Sequence, residues 1–352
     1  MRFTSLTPLL IYIATLPILF FITTGILHSI LLYFHALGLA WQLFQWFQSS
    51  SSIQQKDMYN FRNVIFNLEI PPKTLWFNMG LWYDTNNNDK QEQEQDMKYS
   101  VACERLVEAV LKEIEMKPGS RVLDVGYGCG DSCFLLADRY GCKVTGLTNE
   151  KNQWDISKKR LVDTKKKNIQ DRIQLIYGSA TDDLKQKNVD PFLFDHILSI
   201  DSAYHYITRW KFLKNAMTYL VPHGTLGLYD LTIHPNLLDS FHNNNIKKYM
   251  IELLGHYLLN IPKENMVTAE QYHDQLITMG YDQVIVKPID GDRVFGGLSR
   301  FIQRQYQEAE AWDILPPFSN RLFMLFSISL FNLLARKQWI VPVIVSARNK
   351  KK

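Results

Sequence analysis

The sequence predicts an α/β fold: a mostly parallel sheet with helices on both faces, carried behind an apolar N-terminal segment. Three observations carry that prediction. Arg121 to Asp131 reads RVLDVGYGCGD, a short apolar strand pattern running into three glycines and then a helical pattern, Ser132 to Tyr140. Strand-like and helix-like stretches alternate from there onward, the order that builds a parallel sheet. Finally, no Asp, Glu, Lys or Arg occurs between Phe3 and Gln55.

Composition sets the outer bounds. At 352 residues the chain exceeds one typical domain and can bury a full core. Hydrophobic residues make up 46%, much of the excess lying in the first 55 positions, so the remainder reads as an ordinary soluble domain. The net charge of +4 comes partly from Arg348, Lys350, Lys351 and Lys352, and is too small to argue for a nucleic-acid partner. The four cysteines, Cys103, Cys129, Cys133 and Cys142, fit neither a zinc site nor a secreted disulfide framework, so they read as free packing thiols and no metal is expected. The chain divides into an anchor (1–48), a linker and aromatic arm with a polar loop (49–98), a globular domain (99–347) and a basic tail (348–352).

Pro8 to Leu27 has the length of a bilayer-spanning helix, about 20 residues. A second apolar run, Ser29 to Phe47, carries Trp41 and Trp46, which suit a membrane interface. Together they are too long for the apolar core of a cleaved signal peptide. They read as a retained membrane anchor of one or two helices. Ser49 to Gln55 is a polar hinge. Asp57 to Tyr83 is rich in aromatics, including Trp76, Phe77, Trp82 and Tyr83, and Asp84 to Asp96 is a polar, low-complexity loop.

Ser100 to Lys117 has helical period in Ala102, Leu106, Val110, Leu111 and Ile114, and Pro118-Gly119 stops it. In the glycine-rich turn that follows the next strand, backbone N–H groups can approach a ligand closely because no Cβ intervenes. The dinucleotide fingerprint G-x-G-x-x-G would need glycine at 131, where the chain has Asp131. The spacing is instead D-x-G-x-G-x-G. This resembles motif I of the class I S-adenosylmethionine-dependent methyltransferases. The resemblance implies a Rossmann-like seven-stranded methyltransferase sheet, S-adenosyl-L-methionine as cofactor, and Asp124, Gly126, Tyr127, Gly128 and Gly130 as cofactor-binding residues.

The second strand, Lys143 to Leu147, runs into Thr148, where most such enzymes carry an acid for the ribose. Here G-L-T-x-x-x-x-Q resembles the cyclopropane-fatty-acid synthases and sterol methyltransferases, which implies cofactor roles for Thr148, Asn149 and Gln153. Glu150 could supply the missing acid two residues late. Asn152 to Lys167 is a basic helix, either a solvated face or one that meets an anionic membrane. The third strand, Ile173 to Tyr177, ends in Gly178-Ser179-Ala180, where the resemblance places the adenine, with Ser179 in place of the usual acid. The fourth strand, His196 to Ile200, ends in the loop Asp201 to Arg209. Ligand crevices of such sheets lie beyond the carboxyl ends of the strands. Tyr204-His205 takes the place of the Glu-His pair of the lipid-cyclopropanating enzymes, which argues against straightforward cyclopropane chemistry. The Ala-Tyr-His-aromatic run is similar to that of type 11 small-molecule methyltransferases. His205 and Tyr204 are the candidate catalytic residues.

Trp210 to Tyr219 reads as a helix, and Leu220-Val221-Pro222-His223-Gly224 resembles the family's L-x-P-G-G turn before a fifth strand, Thr225 to Tyr229. Segments 231–267 and 291–336 read as insertions on the acceptor side, the first with an amphipathic helix around Ile246 to Leu259. Ala269 to Met279 is a helix closed by Gly280, and Gln283 to Lys287 a strand. Phe318 to Ala335 reads as an amphipathic or core helix rather than a third span. Trp339 to Ser346 matches the family's last, antiparallel strand, where Pro342 requires an edge or a bulge.

The expected function is a membrane-anchored methyltransferase that acts on a lipophilic acceptor (a sterol, acyl lipid or prenylated compound) by in-line methyl transfer. The expected location is the endoplasmic reticulum, with the catalytic domain facing the cytosol. Two alternatives stand beside it: a small-molecule N- or O-methyltransferase whose anchor only sets location, and a non-catalytic membrane scaffold. A hydroxyl or amine acceptor needs a base, for which His205 is best placed. An alkene acceptor would need aromatic faces such as Tyr204, Tyr206, Trp76 and Trp82.

Overall fold

The computed structural model describes residues 72–83, 97–182, 193–237, 255–256, 259–312 and 314–350. The expected anchor, the arm before Pro72, the polar loop 84–96 and nearly all of the amphipathic helix expected at 246–259 lie outside the described residues.

In chain order the elements are α1 (Tyr99–Glu113), β1 (Arg121–Val125), α2 (Asp131–Arg139), β2 (Lys143–Thr148), α3 (Lys151–Asp163), α4 (Lys167–Gln170), β3 (Ile173–Tyr177) and β4 (Phe194–Ile200). Then come α5 (Arg209–Tyr219), β5 (Leu220–Ile233), α6 (Ala269–Met279), β6 (Tyr281–Pro288), α7 (Gly297–Ala311), α8 (Phe318–Lys337) and β7 (Ile340–Asn349). The sheet has seven strands in the order β3-β2-β1-β4-β5-β7-β6, and β7 alone runs antiparallel to its neighbours. The mostly parallel, seven-stranded expectation holds.

Alternation along β1 explains the two-sided core. Val122 faces a cluster built from Leu106 and Val110 of α1, Leu136 of α2 and Leu334 of α8. Leu123 and Val125 face the other, with Phe212 and Leu213 of α5 and Tyr272 and Leu276 of α6. Burial on both faces is why the strands read as unbroken apolar runs.

Some boundaries differ from expectation for local reasons. α1 stops at Glu113, short of Pro118, because Glu115 turns left-handed (φ 51°) and Met116 N bonds back to Leu111 O at 3.0 Å. The single basic helix is two, because Thr164 is extended (ψ 129°). β5 begins at Leu220, inside the expected turn, and a register shift between Phe194 and His196 absorbs the extra residues. His223 there holds φ 62°, the conformation for which the family's glycine is suited. Residues 231–233 continue β5 rather than starting an insertion. α6 matches its expected bounds, with a Thr268–Gln271 capping box and Gly280 left-handed at its end (φ 101°). Pro342 pairs with Leu231 of β5, and on the other side, one residue past the β6 pairing, its carbonyl accepts from Ile289 N at 2.8 Å, so the end of the ladder accommodates its missing N–H.

A buried ion pair ties the sheet to the loop after β4. Arg209 and Asp230 meet at 2.8 Å, both fully buried, and Tyr272 donates to Asp230 at 2.8 Å. Arg209 also donates to the carbonyl of Asn265 and through its backbone N to Asn265 Oδ1. Asn265 in turn donates to the carbonyls of Tyr204 (3.0 Å) and Tyr206 (2.8 Å). The 201–208 loop is thereby held by a polar network rather than by apolar packing alone.

Candidate active site

A cavity of about 620 Å³ opens beyond the carboxyl ends of β1, β2, β3 and β4. That is where the topology places a ligand crevice. Its floor is the glycine-rich turn. Gly126 (φ 78°) and Gly128 (φ 62°) are left-handed. A Cβ on Gly126 would collide with Ser202 Oγ and Tyr206 Oη, so only glycine fits between β1 and the loop after β4. Asp124 points away from solvent into the first turn of α2 and accepts from Ser132 Oγ (2.5 Å) and Cys133 Sγ (3.5 Å). Burial pushes its carboxyl up to about 6, against the pull of those two donors.

Nine of the ten expected cofactor residues line the cavity: Asp124, Gly126, Tyr127, Gly128, Thr148, Asn149, Gln153, Ser179 and Ala180. Gly130 does not; it caps α2 at φ 100° and serves the turn. Tyr127 presents mainly backbone, since its ring is buried and its hydroxyl meets Ser157 Oγ at 3.1 Å. Glu150, the displaced acid, also lines the cavity, its N–H donating to Thr148 Oγ1 at 3.2 Å. Ser179 Oγ accepts from Thr181 N at 3.2 Å.

The other wall comes from distant parts of the chain. His205 lines it, with Nδ1 3.0 Å from the carbonyl of Asn260. A carbonyl only accepts, so Nδ1 carries the proton and Nε2 is left with its lone pair. Burial lowers the pKa of His205, which is therefore neutral at pH 7. Tyr206 lines the wall too, and donates to the Val125 carbonyl at 3.1 Å.

Two expected aromatic faces are elsewhere. Tyr204 is not among the lining residues; its ring is buried in the core and its hydroxyl donates to Asp201 Oδ1 at 2.7 Å. Trp82 is fully buried, packed on Gly297 and Phe301, and anchors the arm instead of facing an acceptor. Trp76 and Phe77 do reach the cavity, and Cys129 does not.

Asp201 was not singled out by its sequence context. It is left-handed (φ 59°), lines the cavity, and accepts from the backbone N of Met79 at 2.8 Å as well as from Tyr204. Desolvation by the surrounding protein raises its carboxyl to about 7. It thus joins the loop after β4 to the arm. A second joint lies at Asp131, which accepts from Leu75 N (2.9 Å) and two bonds from Arg160 (2.7 and 2.9 Å). No pattern in the sequence links positions 75, 131 and 160.

The wall has a marked charge bias. Asp124, Glu150 and Asp201 line it, and no lysine or arginine does. A diphosphate would find no cation here, whereas a positively charged ligand would be favoured. The open glycine turn, the cavity size and this bias fit S-adenosyl-L-methionine. Among the described residues, no three His, Cys, Asp or Glu side chains converge to hold a metal ion.

Residues 59–263 match the mycolic acid cyclopropane synthetase family. The chain belongs to that family. That places it in the superfamily of class I S-adenosyl-L-methionine-dependent methyltransferases. The chain is 32% identical over 192 residues to erythromycin 3''-O-methyltransferase of Saccharopolyspora erythraea, across 53% of this chain and 59% of that one. It is 26% identical over 172 residues to sphingolipid C9-methyltransferase of Komagataella phaffii, across 49% of this chain and 33% of that one. The chain spans about half the length of the curated relatives it matches. In fold it is similar to a cyclopropane synthase from Mycobacterium tuberculosis, with a TM-score of 0.58 at 18% identity, over 78% of this chain and 90% of that one.

Proposed function

We propose that this methyltransferase works at a membrane and methylates an uncharged, lipophilic acceptor: a sterol, acyl lipid or prenylated compound. The cavity wall carries the reading. Three acidic side chains without a basic partner, of which Asp201 is about half protonated at pH 7, stand beside Trp76, Phe77, Val107, Ile200 and Ile207. Such a wall disfavours an anionic acceptor and offers apolar contact to hydrocarbon. The charge-free stretch from Phe3 to Gln55 supports a retained anchor, and we assign the catalytic domain to the cytosolic side of the endoplasmic reticulum. A relative named for methylation of a sphingolipid agrees with a lipid acceptor.

In this reading Gly126 and Gly128 let the backbone approach the cofactor, and Asp124 holds the turn in shape. Thr148, Asn149, Glu150 and Gln153 surround the ribose side, and Ser179 and Ala180 the adenine. The bound cofactor supplies an electrophilic methyl group on a sulfonium. The chain orients the acceptor in line with it and excludes water. His205 accepts the acceptor's proton at Nε2, which favours a hydroxyl acceptor over an alkene. Tyr204 acts indirectly, by positioning Asp201.

One relative, named for O-methylation of erythromycin, favours a second reading, a small-molecule O-methyltransferase whose anchor only sets location. The test uses the purified full chain in nonionic detergent with methyl-labelled cofactor. It is offered a membrane lipid extract in parallel with water-soluble hydroxy and amino compounds. Label is expected in the neutral lipid fraction. Label confined to water-soluble products would sink the lipophilic reading in favour of the second.

A further inference from the structure

The helix α8 is the described element long and apolar enough to cross a membrane. It does not have the surroundings of a span. One face is packed into the domain: Leu334 and Ser327 are buried, Phe331 stacks on Phe295 with ring centroids 6.3 Å apart, and Ser299 Oγ donates to the Ile328 carbonyl at 2.8 Å. The opposite face is bare. Phe318, Leu322, Leu325, Phe326 and Leu333 recur at spacings of three, four and seven, which puts them on one stripe, and all are exposed. Phe323 lies in line with Ser327 and Leu334, a turn before the packed part of that face, and is 71% exposed. The stripe from Phe318 to Leu333 runs about 23 Å along the helix.

We infer that α8 is an interfacial helix that lays its apolar stripe into the headgroup–acyl boundary of an anionic bilayer, giving the catalytic domain a membrane contact of its own. The charges choose the occupant. α8 has Arg321 in its first turns and Arg336 and Lys337 in its last, and contains no Asp or Glu. Cations at both ends of an apolar stripe match a surface of anionic headgroups. A second copy packed by a two-fold axis in antiparallel fashion would set Arg321 against the partner's Arg336, and like charges would meet. An uncharged segment of the same chain would leave all three cations without a counter-charge. The inference concerns the domain's contact with lipid and does not depend on which acceptor is methylated.

The test uses the full chain in vesicles of phosphatidylcholine with about 30% phosphatidylserine, which supplies the anionic surface. Single cysteines are introduced by Phe326→Cys on the stripe of α8 and, as a control, by Ile277→Cys on α6, which is 47% exposed on a helix packed against the opposite face of the sheet. The four native thiols are buried, so a fluorescent label goes to the new one. Retained cofactor binding shows that each variant is folded. The label at 326 is expected to be quenched at least about threefold more than that at 277 by lipids with nitroxides on their acyl chains, and protected from aqueous iodide. Charge reversal by Arg336→Glu and Lys337→Glu should reduce that contrast. Equal iodide quenching at both positions would overturn the inference, because α8 would then face water. Protection at 326 from both quenchers would overturn it too, because protein and not lipid would cover the stripe.

Discussion

The two halves of the cavity are built in different ways. On the cofactor side the contacts come from the ends of three adjacent strands, β1, β2 and β3, and much of the surface is backbone at Gly126, Gly128, Gly178 and their neighbours. On the acceptor side they are side chains from remote segments: Trp76 and Phe77 of the arm, Asp201 to Ile207 after β4, and Asn260. Backbone surfaces tolerate a changed side chain. On that ground the proposed cofactor half can keep its shape although Thr148 and Ser179 stand where the resemblance implies acids. The acceptor half has no such tolerance, and its chemistry changes with each residue.

The sharpest way to separate the halves is Gly128→Arg. Gly128 is left-handed and a Cβ there would meet little besides Phe77, so the new side chain fills the cavity and leaves the core alone. Cofactor affinity should fall at least about a hundredfold by calorimetric titration, with the melting temperature lowered by only a few degrees, the cost of a side chain at φ 62°. A variant that still binds would break the assignment of the cofactor half.

His205→Ala comes next, and should reverse the pattern. Turnover of a hydroxyl acceptor is expected to drop about a hundredfold or more while cofactor affinity stays close to wild type. The pH profile sharpens this. A base must be neutral to act, and burial lowers the His205 pKa, so the acid limb of kcat/KM should lie below the ordinary histidine value and vanish in the variant. An unchanged limb would remove His205 from the proton transfer.

Arg160→Ala acts on the joint between the halves. It leaves Asp131 buried with one backbone donor and no counter-charge, and loosens the arm at Leu75. About 2 kcal/mol of stability should be lost, with a several-fold weaker grip on the cofactor.

Asp201→Asn should have the smallest effect and the opposite sign. The folded-state pKa of Asp201 is about 7, against an ordinary 3.8. A raised acid favours the fold while protonated, so stability falls as pH rises from about 4 to about 7. Asparagine Oδ1 still accepts from Met79 N, its Nδ2 donates to the Tyr204 hydroxyl, which can turn to accept, and it cannot ionise. The variant should therefore melt a few degrees higher than wild type at about pH 8 and show a flatter pH dependence. A variant that melts lower at that pH would mean that the charged carboxylate holds the arm.

What the sequence made legible follows from the same contrast. The order of strands and helices, the glycine turn and the gathering of nine of the ten expected cofactor residues around one cavity could be read because each depends on neighbours a few residues away. Tyr204 and Trp82 were misplaced because their direction is decided by tertiary partners: Asp201 and the core for one, Gly297 for the other. Asp201 went unremarked because its role comes from Met79, far behind it in the chain. α8 was foreseen as amphipathic or core and is divided between the two, since its packed face follows only from where α7 and Phe295 lie.

The wall of unpaired carboxylates also gives turnover a direction. Methyl transfer removes the positive charge from the cofactor's sulfur, and the spent molecule is a neutral thioether at that atom. In the proposed reading Glu150, together with Asp124 and Asp201 where they are ionised, then faces a guest that no longer returns its attraction. Fresh cofactor competes for the cavity with a charge that the spent one has lost, so each completed transfer loosens its own product.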